Sequence, residues 1–222
     1  MPVQDNVGYP FAGVSRNPFN YVKVEQINRD VVTPWLTLEE IAQQINLYQD
    51  ESQDQYLQSL EVAVRQAVED YLGMAIFPVT YRVWYGAESL IASPTCLDLP
   101  EVSQNLYSVE PALSIDKVAY YNSSAPAVLV EIAASEYQYD PSGNKLIIQS
   151  LPTTINTTMT APIVVEYSVV GNVLATYPVI KQAALLLFTH LYNNRSNTTE
   201  GIMHEIPFGF AQLLRPYKPL VM

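Results

Sequence analysis

At 222 residues the chain has material for one large domain or two small ones, and a hydrophobic fraction of 49% excludes wholesale disorder. Eleven Lys and Arg against 22 Asp and Glu give a formal charge of −11. That balance excludes a grip on nucleic acid through counterion release, which needs clustered cations. Only 15% of residues are charged, below the roughly 25% of ordinary soluble domains, while Tyr and Pro each number 16. Few charges and many tyrosines suit a contact surface, and equally a β-rich domain.

The single Cys96 rules out an intrachain disulfide framework and a thiolate metal cluster within one chain. The opening MPVQDNVGYPF lacks the basic and apolar regions of a signal peptide. The longest apolar run, Ala183 to Phe188, lies between Lys181 and His190 and is far short of the roughly 18 residues that cross a bilayer. The expectation is a protein made in a reducing cytoplasm. On that view the glycosylation sequons at Asn122, Asn156, Asn194 and Asn197 are chance matches.

Residues 1–34 carry prolines at 2, 10, 18 and 34 with Tyr9, Phe11, Phe19 and Tyr21 between them. Proline removes backbone donors and biases its neighbours toward extended conformations, so no helix is expected here. These four aromatics suit an arm lying on its own domain or on a neighbouring subunit. Helical signals begin at Thr37-Leu-Glu-Glu40, a capping box. The helix it opens, with Leu38, Ile41, Ala42 and Ile45 on one face, should end near Tyr48. A second helix is predicted from about Glu51 to Leu72, stopped by Gly73, with Leu57, Leu60, Val64, Ala67, Val68 and Tyr71 as its buried stripe. Its opposite face carries Glu51, Asp54, Glu61, Glu69 and Asp70. Such a face is either a solvated surface or the lining of a lumen, and spacing alone leaves both open.

From Phe77 the period changes to two. VTYRVWYG (79–86) alternates Tyr81, Val83 and Tyr85 against Arg82 and Trp84. Further strands are expected at 96–99, 115–121, 128–132, 137–139, 145–149 and 163–170, with a turn at Asp140-Pro-Ser-Gly143. Short strands joined this tightly suit antiparallel hairpins. Pro178 fits the first turn of a last long helix, Val179 to Asn193, apolar on most sides and so expected to be central and packed on 57–72. The expected class is α+β. A helical part of about four helices (35–76 and 172–206) would carry an inserted antiparallel β module (77–171), an N-terminal arm (1–34) and a C-terminal docking segment (207–222).

The catalytic inventory is poor. His190 and His204 lack a neighbouring nucleophile motif, and His204-Glu205 lacks a second His at zinc spacing. No glycine-rich phosphate loop occurs among eight glycines. Asp98 and Asp140 lack the neighbouring carboxylates of a calcium loop. Glu39-Glu40 and Glu69-Asp70 diverge around a helix rather than converging on one proton. No enzyme, metal or cofactor is expected; a hydrolase using His190 or His204 is the weakest alternative.

Taken in order, LTLEEIAQQINL, the helix ending AVEDYLGMAI, the strand VTYRVWYG, then VVEYSVVG, YPVIKQAALLLFTHLYNNR and IPFGFAQLLRPYK resemble head–tail connector (adaptor) proteins of tailed bacteriophages, over about residues 36–218. The resemblance implies a helical bundle with a β insertion, assembled as a ring, generally of twelve copies, below the portal after DNA packaging. A stopper or tail protein attaches beneath, and double-stranded DNA passes through the lumen without tight binding or any membrane. It places the protein in the virion neck. It nominates Phe208, Leu213, Leu214, Arg215, Pro216 and Tyr217 as portal contacts, against the alternative that Phe208, Leu213 and Leu214 cap the chain's own bundle. Head closure or tail completion are neighbouring roles. Two expectations follow: part of the acidic helix 51–70 faces the channel, and truncation after Glu205 leaves a folded protein that no longer joins the neck. The arm has no counterpart in the family pattern.

Overall fold

A computed structural model describes residues 20–47, 51–86, 94–100, 113–169, 177–194 and 209–218. Its elements are β1 (Tyr21–Ile27), α1 (Leu38–Ile45), α2 (Asp54–Leu72), β2 (Val79–Tyr85), β3 (Thr95–Asp98), β4 (Leu113–Tyr121), β5 (Leu129–Glu131), β6 (Tyr137–Asp140), β7 (Lys145–Ile148), β8 (Ile163–Val169), α3 (Pro178–Asn193) and α4 (Phe210–Leu214). They fall into two units. One takes in the described parts of 1–27, 80–102 and 113–168; the other takes in those of 28–79 and 169–222. The class is α+β with two antiparallel sheets, as the change of period indicates.

The larger sheet runs β1-β2-β8-β4-β5 and the smaller β3-β7-β6. In β2, Val79, Tyr81, Val83 and Tyr85 are buried while Thr80, Arg82 and Trp84 are half-buried, the alternation that a period of two dictates. Tyr81 stacks on Tyr167 of β8 with centroids 5.4 Å apart, a pairing that adds to the area each ring buries. On the other face Arg82 bonds Glu166 at 2.7 Å and Thr80 meets Ser168 at 3.0 Å. In the smaller sheet β6 and β7 form a hairpin whose turn is held by Asp140 Oδ1, which accepts the Ser142 N–H at 2.9 Å. Asn144 takes the left-handed conformation that closes it, φ 52°.

One element was not foreseen. Tyr21–Ile27 is the edge strand of the larger sheet, antiparallel to β2, with Val24 opposite Val83, so this stretch of the arm is extended and lies on the chain's own domain, with no strand having been expected there. Its alternation is blurred, because one face is only half-buried and Val22 and Lys23 are exposed, so the sequence carries a weak strand signal. Residues 28–36 run with the helical unit.

In that unit the capping box is present on both sides: Glu40 N–H donates to Thr37 Oγ1 at 3.2 Å and Thr37 N–H to Glu40 Oε2 at 2.9 Å. α1 stops at Ile45 rather than near Tyr48, because Asn46 adopts φ 56° and its N–H closes the last turn. One 3₁₀ turn, Glu51–Gln53, leads into α2. α2 ends at Gly73, φ 68°, a left-handed position that favours glycine. The core of this unit joins Trp35, Leu36, Ile41, Leu57, Val64, Val68, Leu72, Ile180, Ala183, Ala184, Phe188 and Leu214. Each large apolar side chain buried here contributes about 1.5–3 kcal/mol. Ala183 and Ala184 present no bulk where α3 lies on this core. α1 and α3 are further tied by Lys181 to Glu40 at 2.7 Å and Gln44 to Thr189 at 3.2 Å.

Candidate assembly surfaces

The acidic face expected on α2 is largely not a face. Glu61 is 1% exposed and Glu69 4%. Glu61 Oε1 accepts the N–H groups of Trp35 at 2.9 Å and Leu36 at 3.1 Å. Glu69 Oε1 accepts the Ile76 N–H at 3.0 Å, while its Oε2 takes the Arg29 guanidinium at 2.8 Å. Both carboxylates hold backbone that flanks the helix, a task that helical spacing cannot reveal. Burial pushes the Glu61 carboxyl above the usual range, despite the two N–H bonds that oppose the shift. Glu51 and Asp70 remain exposed and Asp54 half-exposed, and Asp70 is paired with Arg29 at 3.0 Å. The carboxylates that reach solvent therefore sit at the two ends of α2, not along it.

Arg65, the one cation of α2, is fully buried. Its Nη1 donates to the Thr33 carbonyl at 2.6 Å and its Nη2 to the Asp30 carbonyl. Its guanidinium carbon lies 4.7 Å from the Phe77 ring centroid. Asp30 Oδ1 accepts the N–H groups of Val32 and Thr33, each at 2.8 Å. Hydrogen bonds from Thr33 and Val32 draw its carboxyl down to about 2. The loop 30–34 is thus fixed from both sides, and what it offers to solvent is Val32, 82% exposed, and Val31, 51%.

The C-terminal segment divides. Leu214 is fully buried in the core, and Leu213, Phe210 and Tyr217 pack against it. Tyr71 donates to the Ala211 carbonyl at 3.1 Å, and Tyr217 meets Tyr177 edge-on with centroids 5.6 Å apart. For Leu213 and Leu214, capping of the chain's own core is therefore what the structure places. Truncation after Glu205 would take Leu214 out of the core, so it would cost stability as well as any docking contact. Arg215 and Pro216 are exposed. Phe208, and the arm residues Tyr9, Phe11 and Phe19, lie outside the described residues; Tyr21 is half-buried in β1.

α3 carries a surface that the sequence reading placed in the interior. Val179, Gln182, Leu186, His190 and Asn193 are all exposed, and their spacing of three and four puts them along one side of the helix. No formally charged residue interrupts that line. His190 is there as a surface group, its carbonyl accepting from Asn194 at the helix end. His204 lies outside the described residues. Among the described residues no group of three His, Cys, Asp or Glu side chains converges as metal ligands, and no helix is long and apolar enough to cross a membrane.

No family model and no curated protein matches the sequence. Solved structures do match the fold. A chain from the neck of an empty GTA particle, computed with C6 symmetry, superposes with a TM-score of 0.58 at 16% identity over 90% of this chain and 97% of that one. A chain from the virion of a native gene transfer agent particle gives 0.56 at 18% identity, over the same shares. One from the neck of the native particle, computed with C12 symmetry, gives 0.53 at 17%, again over 90% and 97%. Nearly the whole of each of those chains is matched, so this protein shares the complete fold of chains found in gene transfer agent particles.

Proposed function

We propose that this chain is a structural protein of a phage-like virion neck. In this reading it is a ring-forming head–tail adaptor that binds the portal and offers the attachment site for a stopper or tail protein. The observation that carries the reading is the end-to-end fold likeness to neck chains, to which the ordered motifs from LTLEE to LLRPYK independently add. The surface supports it: α3 presents an uncharged line from Val179 to Asn193, the composition of an interface core rather than of a solvated helix. A ring needs two different patches on each copy, meeting head to tail, and this line is one of them. Twelve copies is the number that the resemblance implies.

Portal contact falls to the part of the C-terminal segment that the chain's own core leaves free: Arg215 and Pro216, flanked by Tyr217, with Phe208 the further candidate. The segment is then a hinge between two loyalties, its leucines inward and its basic end outward. DNA passage suits a chain of net charge −11, since solvent-exposed carboxylates repel a phosphate backbone within a Debye length of about 8 Å, Asp70 less than the others because Arg29 pairs with it. Glu51, Asp54 and Asp70 are the α2 carboxylates left to serve there, and the role is structural rather than enzymatic.

Native mass spectrometry of the purified protein, alone and mixed with the portal of the same particle, tests the reading. A complex holding one ring of copies per portal, lost in Arg215→Glu while the variant stays folded, is the expected result. A chain that stays monomeric in the presence of portal would refute it.

A further inference from the structure

An open groove of about 530 Å3 lies beside α2, lined by Val31, Val32, Pro34, Gln58, Ser59, Glu61 and Val62. Three features set it apart from ordinary surface. Its rim is apolar and prominent, yet the backbone beneath that rim is locked by Arg65 and Asp30, so the valines are held out rather than folded in. Its lining includes a carboxyl that is 1% exposed, whose Oε2 has no hydrogen-bond partner among the described residues. A buried acceptor left open is costly. No side chain of the lining other than Glu61 is formally charged.

We propose that this groove receives residues 1–19 of a neighbouring copy, so that each subunit of the ring clasps the next. The inference rests on the ring reading above and names a contact within it. Several facts select this occupant. Residues 6–15, NVGYPFAGVS, contain no charge and bring Tyr9, Pro10 and Phe11, the chemistry that walls of Val31, Val32, Pro34 and Val62 accept. Arg16 is the one cation in the segment, a donor for the Glu61 carboxyl once the groove is closed over it. The segment meets the described fold at Asn20, which is itself anchored by Nδ2 to the Cys96 carbonyl at 2.7 Å and by Oδ1 to the Asp98 N–H at 2.9 Å. Nineteen residues at about 3.3 Å each reach roughly 60 Å from that anchor, ample to cross to an adjacent protomer. A rigid groove and a proline-bearing strap also limit the ordering entropy that such docking costs.

Site-directed crosslinking of the full chain on its portal tests this. In a Cys96→Ser background, an isotopically heavy copy carrying Val32→Cys is mixed with a light copy carrying Phe11→Cys, assembled and oxidised. Heavy–light dimers linked 32 to 11 are expected. Independently, Val32→Asp and a Tyr9→Ala, Phe11→Ala pair should each lower the yield of assembled ring about tenfold, the effect of roughly 1.4 kcal/mol per contact, with unchanged monomer melting. Rings that form without the 32–11 link, or that form normally in Val32→Asp, overturn the clasp and leave the adaptor reading standing. A link found only within one copy, shown by a doubly substituted chain, overturns it too. Absence of any ring from the unsubstituted protein removes both.

Discussion

Arg65 Nη1 donates to the Thr33 carbonyl oxygen at 2.6 Å, and it does so from the interior of the helical unit, with none of its side chain exposed. A helix of the hydrophobic core thereby governs the shape of a surface loop. Replacing Arg65 with Met keeps the apolar stem and removes both donors, leaving the Thr33 and Asp30 carbonyls unpaired. At about 1–3 kcal/mol for each orphaned group, Arg65→Met should lower stability by roughly 3 kcal/mol. Arg65→Lys should recover only part, since a single ammonium does not reproduce a planar fork. Urea denaturation followed by far-UV circular dichroism measures both.

Asp30 gives the same loop a dependence on acid. Its carboxyl titrates near 2 in the folded chain against 3.8 in the unfolded one. Between those values the unfolded chain binds more protons, so the contribution is complete above about pH 4 and is lost as pH falls toward 2. Asp30→Asn keeps an oxygen for the Val32 and Thr33 N–H groups but cannot titrate. The gap in urea midpoint between wild type and Asp30→Asn should therefore be widest at neutral pH and close between pH 4 and 2. A gap constant across that window would show that the charge contributes nothing.

If the C-terminal segment docks on the portal as proposed, folding and docking can be separated one residue apart. Leu214→Ala opens a cavity in the core and should cost about 2–5 kcal/mol. Arg215→Glu changes an exposed side chain and should move stability by no more than about 0.5 kcal/mol, while abolishing portal binding in a pull-down. Loss of binding in Leu214→Ala alone would say only that the segment had unfolded.

The uncharged line on α3 makes a further demand. Leu186 is 36% exposed, so Leu186→Lys should leave the melting temperature of the monomer nearly unchanged. Set at the centre of an interface, the same ammonium is desolvated without a partner and should prevent association of copies. Sedimentation velocity on the portal-loaded sample reads the second effect, and differential scanning calorimetry the first.

Much of the fold was legible because local chemistry and global packing agree. The capping box at Thr37–Glu40, the Gly73 stop, the period-two burial of 79–85 and the turn at Asp140 each rest on short-range rules, and each stands where expected. What escaped the sequence depends on distant partners. Glu61 and Glu69 were expected on an open acidic face, solvated or lining a lumen, because charged residues seldom go inside, and Arg65 is buried beside them. Here each is compensated by backbone groups from loops 28–36 or 73–76, whose position no periodicity encodes. Tyr21–Ile27 escaped because an edge strand is only half covered. α3 looked central because it is apolar on most sides, yet part of that apolar surface, Val179 and Leu186, faces outward. The docking residues were read as one set, and the structure splits them between core and surface.

The central claim is that this chain stands as a ring at the head–tail junction of a particle. Cryo-electron microscopy of that particle, with the neck reconstructed and this sequence traced into density, tests it most directly. The expected density is a closed ring of identical copies seated against the portal, with the Arg215–Tyr217 end at the portal side and the α3 line buried between copies. Density for this chain in the capsid shell or the tail tube, or a neck ring built from a different protein, would contradict it.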